Sequence, residues 1–196
     1  MAIQVNCELL GRIAFRNPLP VEFVREQSFF IQAFDAFLVR TVSLHTASER
    51  QRMVNPRKAY PIDPGLIALY ERTGRANLGQ ALETVVLVEL ERRGCTTDYV
   101  RTKEGYEVDF FTRNPAGNAS LIQICTDISD PDTREREVRA LVSAAAQYRG
   151  TTPLLLTFDT QPPQPALPAP LRWQPVIAWL LGDKLPRLTA SLRHRQ

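Results

Sequence analysis

The chain is poor in the residues that redox and metal chemistry most often use. It has three cysteines, two histidines, two methionines and two tryptophans among 196 residues. Cys7, Cys95 and Cys125 lie far apart with no Cys-x-x-Cys pair, and only His45 and His194 are available to join them, so zinc-ligand spacing is absent. All three read as reduced thiols. No Gly-x-x-x-x-Gly-Lys-Ser/Thr loop occurs, and without its backbone amides and lysine there is no ATP site. No run approaches the roughly 18 apolar residues of a membrane span, and Met1-Ala2-Ile3-Gln4 lacks the charged-then-apolar pattern of a secretory signal. These absences predict a folded, cytoplasmic protein that does not enter a membrane. Charge of one sign is scarce as well: 24 basic against 21 acidic residues leave +3. That excess permits nucleic-acid binding without arguing for it, because clustering of basic groups sets the local field.

What is present is enough for one domain with an appendage and a real core: 44% hydrophobic and 23% charged residues, with 15 prolines. Residues 1–24, broken at Asn17-Pro18-Leu19-Pro20, read as an irregular arm. Phe30, Phe34, Phe37 and Leu38 recur at helical spacing from residue 28, and their plain reading is core packing. Val39, Thr41 and Ser43 then alternate with Arg40, Val42 and Leu44 as in a short strand. Asn55-Pro56-Arg57-Lys58 reads as a polar break, and 60–66 as a strand end entering a turn. A helical turn or two is expected at 67–72.

The strongest helix is predicted over 77–93, apolar on more than half its circumference through Leu78, Leu82, Val85, Val86, Val88 and Leu90, and stopped by Gly94. Glu83 and Glu89 lie within it. Glu83 shares a stripe with Val86, Leu87 and Leu90, so its carboxylate needs either an arginine partner or a cleft. A short strand at 99–102 leads into Glu107-Val108-Asp109-Phe110-Phe111 and Leu121-Ile122-Gln123-Ile124-Cys125-Thr126, two strands joined by the turn cluster Asn114-Pro115-Ala116-Gly117-Asn118. Strand alternation puts Glu107, Asp109 and Phe111 on one face, and Val108 and Phe110 on the other. It likewise separates Leu121, Gln123 and Cys125 from Ile122 and Ile124, so Asp109, Gln123 and Cys125 converge if the polar faces coincide. A helix opening at Asp132 with Glu135 runs through Tyr148, and 153–158 reads as a buried strand. Residues 161–170 hold five prolines and form a spacer; 173–181 reads as a last helix with Pro175 in its first turn, followed by a basic tail at 183–196.

This order predicts an α/β (α+β) fold, a small mixed sheet flanked by helices with an N-terminal helical segment. An acid on one strand and a second liganding pair on the next is the layout of the PD-(D/E)XK, or restriction-endonuclease-like, superfamily. Leu78-Gly79-Gln80-Ala81-Leu82-Glu83 with Glu89-Leu90, then Glu107-Val108-Asp109-Phe110, Leu121-Ile122-Gln123-Ile124-Cys125, and Thr133 with Arg136-Glu137 and Leu141, together resemble one of its branches. That branch is the nuclease-like C-terminal domain, of unknown function, that prokaryotic AAA-type ATPases carry behind a winged-helix segment. Phe34-Asp35-Ala36-Phe37-Leu38-Val39 and Tyr60-Pro61-Ile62-Asp63-Pro64-Gly65-Leu66 match its approach, and the resemblance spans roughly 28–182. It implies a winged-helix-remnant-like segment over 1–72 and the nuclease-like domain over 73–182. Since the phosphate loop is missing, the ATPase is expected in trans or in a longer gene product.

In an active member, carboxylates hold Mg²⁺ or Mn²⁺ and a lysine steadies the attacking hydroxide. By position the resemblance makes Asp109 the first metal ligand, Glu83 a helix-borne ligand, Gln123 the replacement for the second acid and Cys125 the replacement for the lysine. Glu89 and Glu107 are auxiliary acids. A neutral amide and a thiol in these places each remove an electrostatic group typically worth on the order of 10²-fold to 10³-fold in rate. For Cys125 the plain reading is a small buried side chain. Three expectations follow: a catalytically degenerate module that binds nucleic acid, through Arg101, Lys103 and Arg134, or a partner ATPase; an active metal-dependent nuclease using Glu83, Glu107 and Asp109; or a pure protein-interaction domain.

Overall fold

The computed structural model describes residues 3–5, 37–66 and 78–182. The basic tail, the turns expected at 67–72, the 1–24 arm apart from residues 3–5, and Phe30 and Phe34 of the helix expected from residue 28 lie outside them. Among the described residues the fold is α/β, with two sheets and four helices in the order β1 (Ile3–Val5), β2 (Val39–Val42), α1 (Glu49–Val54), β3 (Arg57–Pro61), α2 (Leu78–Arg92), β4 (Thr96–Arg101), β5 (Glu107–Arg113), β6 (Ala119–Cys125), α3 (Pro131–Gln147), β7 (Thr152–Thr157), β8 (Arg172–Pro175) and α4 (Val176–Leu181). The larger sheet runs β4-β5-β6-β7-β8, with β4, β5 and β6 antiparallel and β6, β7 and β8 parallel. Its long crossover is α3, which suits a parallel step. In the smaller sheet β3 lies between β1 and β2, antiparallel to both.

Alternation along β6 builds the two core layers. Ile122 and Ile124 face α2 with Phe110, Val86 and Leu90. Leu121 and Cys125 face α3 with Phe111, Leu141 and Ala144. Each fully buried large side chain removes apolar area worth about 1.5–3 kcal/mol. The turn after β5 closes through Asn114 N–H to Asn118 O (3.0 Å) and Gly117 N–H to Asn114 O (2.9 Å), with Gly117 at φ +86°, where a side chain would be strained.

Several boundaries differ from the expectation, each for a local reason. Arg57 and Lys58 do not break the chain; they open β3, whose burial of Lys58, Ala59 and Tyr60 against the larger sheet is a tertiary effect. Ile3–Val5 adds a strand inside the segment read as irregular. Phe37 sits at φ +58°, so helical periodicity cannot pass through it, and it is 72% exposed rather than core. The cap of α3 is Asp130, whose side chain accepts from Thr133 N–H at 2.8 Å, two residues before the expected start. Trp173 belongs to β8, and Pro175 caps α4 instead of standing inside it. α1 went unseen because none of its six residues is buried, leaving no apolar period to read.

The two sheets are stitched together. Residues 43–45 run parallel to the edge of β4, with Tyr99 N–H donating to Ser43 O (2.8 Å) and His45 N–H to Tyr99 O (2.7 Å). Val42 and Tyr60 of the smaller sheet belong to the α2-side core, and the Tyr60 ring meets Phe110 at 5.8 Å. Described residues on either side of position 72 thus share one core.

Candidate functional site

β5 and β6 pair from Phe110–Ile122 toward their turn, while β6 runs on beside β7 to Cys125. The strands therefore part at Asp109, and side chains take over the lost ladder. Asp109 N–H donates to Gln123 Oε1 at 3.3 Å, and Ile124 N–H donates to Asp109 Oδ2 at 2.9 Å. The other edge of β5 is irregular too: Asp98 pairs Phe111 but Val100 pairs Val108, so Asp109 and Phe110 together oppose Tyr99. This β-bulge breaks the expected alternation, putting Val108 in the same layer as Phe111 and apart from Phe110. It also re-aims the backbone where Asp109 must meet groups on two neighbouring elements.

Into the opening comes Lys58 from β3. Its Nζ lies 2.7 Å from Glu107 Oε1 and 3.2 Å from Asp109 Oδ1, and the side chain is 3% exposed. Burial opposes the charge, but Asp109, Glu83 and Glu107 together outweigh it and hold the amine above the ordinary lysine range. Glu83, on the α2 stripe that faces the opening, accepts from the Tyr60 hydroxyl at 2.9 Å. Burial, and after it the Asp109 charge, raise Glu83 to about 7 against the opposing pull of Lys58.

The far wall is α3. Gln123 Nε2 donates to Glu137 Oε2 at 2.6 Å, and Arg136 donates to Glu137 Oε1 at 2.6 Å. Gln123 thus uses its oxygen on Asp109 and its amide on Glu137. A carboxylate at 123 would face Glu137 without a proton between them. Burial pushes the Cys125 thiol up to about 11, and it donates to Asp127 O at 3.0 Å, so it is a protonated side chain at neutral pH and not a nucleophile.

These groups line one cavity of about 730 Å³. It brings together Asp109, Gln123, Cys125, Glu83 and Glu107 and adds Lys58, which the sequence reading places in a polar break, with Arg136 and Glu137, which it names in the resemblance without a role. Lys58 shares strand parity with Tyr60, two residues on, but nothing local marks 57–61 as a strand, so its sequence carries no signal for the site. Glu89 lies elsewhere, paired to Arg92 (2.6 Å) and Arg93 (2.7 Å), with its pKa lowered to about 2 chiefly by the Arg92 hydrogen bond. Arg101 stands at the rim, 3.5 Å from Glu107 Oε2. Lys103 is exposed on the β4–β5 turn. Arg134 donates to the Pro165 carbonyl of the proline-rich loop.

The arrangement does not fit the divalent ion that the resemblance implies. Lys58 already occupies the space between Glu107 and Asp109, and the second oxygen of Asp109 is held by Ile124 N–H. Both ends of Gln123 are committed. Among the described residues no group of three or more His, Cys, Asp or Glu is set to hold a metal.

Comparison with known proteins adds an uncharacterized relative. The chain is 32% identical over 120 residues to an uncharacterized protein of Methanocaldococcus jannaschii, a match covering 59% of this chain and 25% of that protein. The chain thus spans about a quarter of the length of the curated relative it matches. No family model and no solved structure matches. Among the described residues no helix is long and apolar enough to cross a membrane.

Proposed function

We propose that this chain is a catalytically degenerate nuclease-fold module of the PD-(D/E)XK type that binds nucleic acid without cutting it. The observation that carries the reading is the Lys58 ammonium, seated between Glu107 and Asp109 where hydrolysis would need a divalent ion. Gln123 bound to Glu137 and a protonated Cys125 support it, since neither restores the missing acid or lysine. Binding is assigned to the rim, through Arg101 and Lys103, because phosphates take their affinity from basic groups and release counterions there. Arg134 commits one of its donors to the Pro165 carbonyl, which makes it a weaker candidate for that surface. An AAA-type ATPase acting in trans is the protein partner that fits the same reading.

The test is fluorescence anisotropy of labelled duplex and single-stranded DNA against salt, with plasmid cleavage in Mg²⁺ and Mn²⁺ run alongside. Affinity should fall steeply with salt, need no divalent ion, and drop with a shallower salt slope, by about one per removed contact, in Arg101→Ala/Lys103→Ala. Unchanged binding in that variant removes the rim from the account. Metal-dependent cleavage abolished by Asp109→Asn would make the protein an enzyme.

One observation favours a second reading, a protein-interaction domain. Among the described residues the cavity is lined by six acids (Glu83, Glu107, Asp109, Asp127, Asp130, Glu137) and only two bases, Lys58 and Arg136. Such a floor repels phosphate and attracts a basic peptide. No DNA affinity at low salt, together with co-purification of a protein partner, would select it.

A further inference from the structure

We propose that Lys58 is the resident cation of the cleft: strand β3 delivers a fixed ammonium that replaces a divalent metal and keeps the site from taking one. The inference deepens the nuclease-fold reading and rests on it. Three facts carry it. Lys58 is anchored at both ends of its task, by a strand that pairs with β2 on one side and β1 on the other, and by ion pairs to Glu107 and Asp109. Its side chain is 3% exposed, so water screens its charge little. The Tyr60 hydroxyl, from the same strand, reaches the third acid, Glu83, at 2.9 Å.

One strand thus satisfies all three carboxylates that a metal would need. A tethered cation does part of what a metal does: it holds like charges together in a buried place and fixes the splay of β5 from β6. It cannot do the rest, because an ammonium offers three donors and no coordination position for a water or a phosphate oxygen. A metal must displace a charged, hydrogen-bonded amine before it can bind.

The prediction is that removal of the amine creates a cation site. Mn²⁺ binding would be followed by the loss of the free-ion electron paramagnetic resonance signal, in wild type, Lys58→Met and Lys58→Met/Asp109→Asn. Wild type should bind no Mn²⁺ tightly, Lys58→Met should bind one ion at least about tenfold more tightly, and the double variant should lose that gain. Equal Mn²⁺ affinity in wild type and a folded Lys58→Met overturns the proposal. A measurement on the unaltered chain covers the case in which the variant fails to fold: the Lys58 side-chain resonance in lysine-labelled protein should not move on addition of Mg²⁺ at about ten times the protein concentration. A shift that saturates at one equivalent would mean that metal displaces the amine, and the proposal would fall. Neither result depends on DNA binding, so the rim assignment and the Lys58 assignment fail separately.

Discussion

At the scale of single residues the cleft is a balance of buried charge, and Lys58 is the member whose loss tips it. Lys58→Met leaves Glu83, Glu107 and Asp109 facing one another, and an uncompensated buried charge costs about 3–5 kcal/mol. The pH dependence follows from Glu83, already lifted to about 7 from the ordinary 4.5. A carboxyl whose folded pKa is raised takes up a proton on folding between its unfolded and folded values, so its contribution to stability declines as pH rises through that window. Removing the ammonium lifts Glu83 further. Urea unfolding should therefore show a large deficit for Lys58→Met at pH 8 and a smaller one at pH 5; equal deficits would mean that the carboxylates do not feel Lys58. Cys125 supplies a second test at this scale. With its thiol pushed up to about 11, alkylation by iodoacetamide followed by mass spectrometry should be slow at pH 7.5 and accelerate well into the alkaline range. Fast labelling at pH 7.5 would reveal a thiolate that the burial argument excludes.

At the scale of elements, the site exists because β5 and β6 diverge at Asp109. Gln123 is placed by that divergence: its oxygen caps Asp109 N–H while its amide reaches Glu137. Gln123→Glu, which would write the missing acid back into the strand, keeps the first contact and turns the second into a buried repulsion at 2.6 Å. It should destabilise by about 2–4 kcal/mol at pH 8, with recovery at pH 5 as one carboxyl takes a proton, and without gain of nuclease activity. Thermal melting at the two pH values checks the first part, and plasmid cleavage the second. Much of this layer was legible in the sequence. Alternating Leu121, Ile122, Ile124 and Cys125, the apolar sweep from Leu82 to Leu90 and the Gly117 turn are local signals, and the structure follows them. The bulge at Asp109 and Phe110, the strand status of Arg57–Pro61 and the strand at Trp173 were not legible. Each is decided by pairing with another strand, which no local period records.

At the scale of the whole molecule the smaller sheet is part of the site. Lys58 meets Asp109 across 51 residues of sequence, and Tyr60 meets Glu83 across 23. Such contacts lie beyond any local reading, which is why the acids of the cleft could be named from the sequence while its cation could not. The same contacts make the two sheets one cooperative unit. Tyr60 is fully buried in the core that holds Phe110, Val86 and Leu90, and Tyr99 joins that core while its hydroxyl donates to Pro56 O at 2.8 Å. If β3 opened alone, it would bare this core face and take the Lys58 counter-charge away from the Glu83, Glu107 and Asp109 carboxylates. That opening should therefore require nearly the full free energy of unfolding. Hydrogen exchange under increasing denaturant should show the Ala59 and Tyr60 amides merging with those of Phe110 and Ile122 into a single global isotherm. Tyr60→Ala should lower that isotherm by about 3–5 kcal/mol for both sheets together. Exchange of 57–61 at a distinctly lower free energy than β5 and β6 would instead describe a strand that leaves the cleft independently, carrying its cation with it.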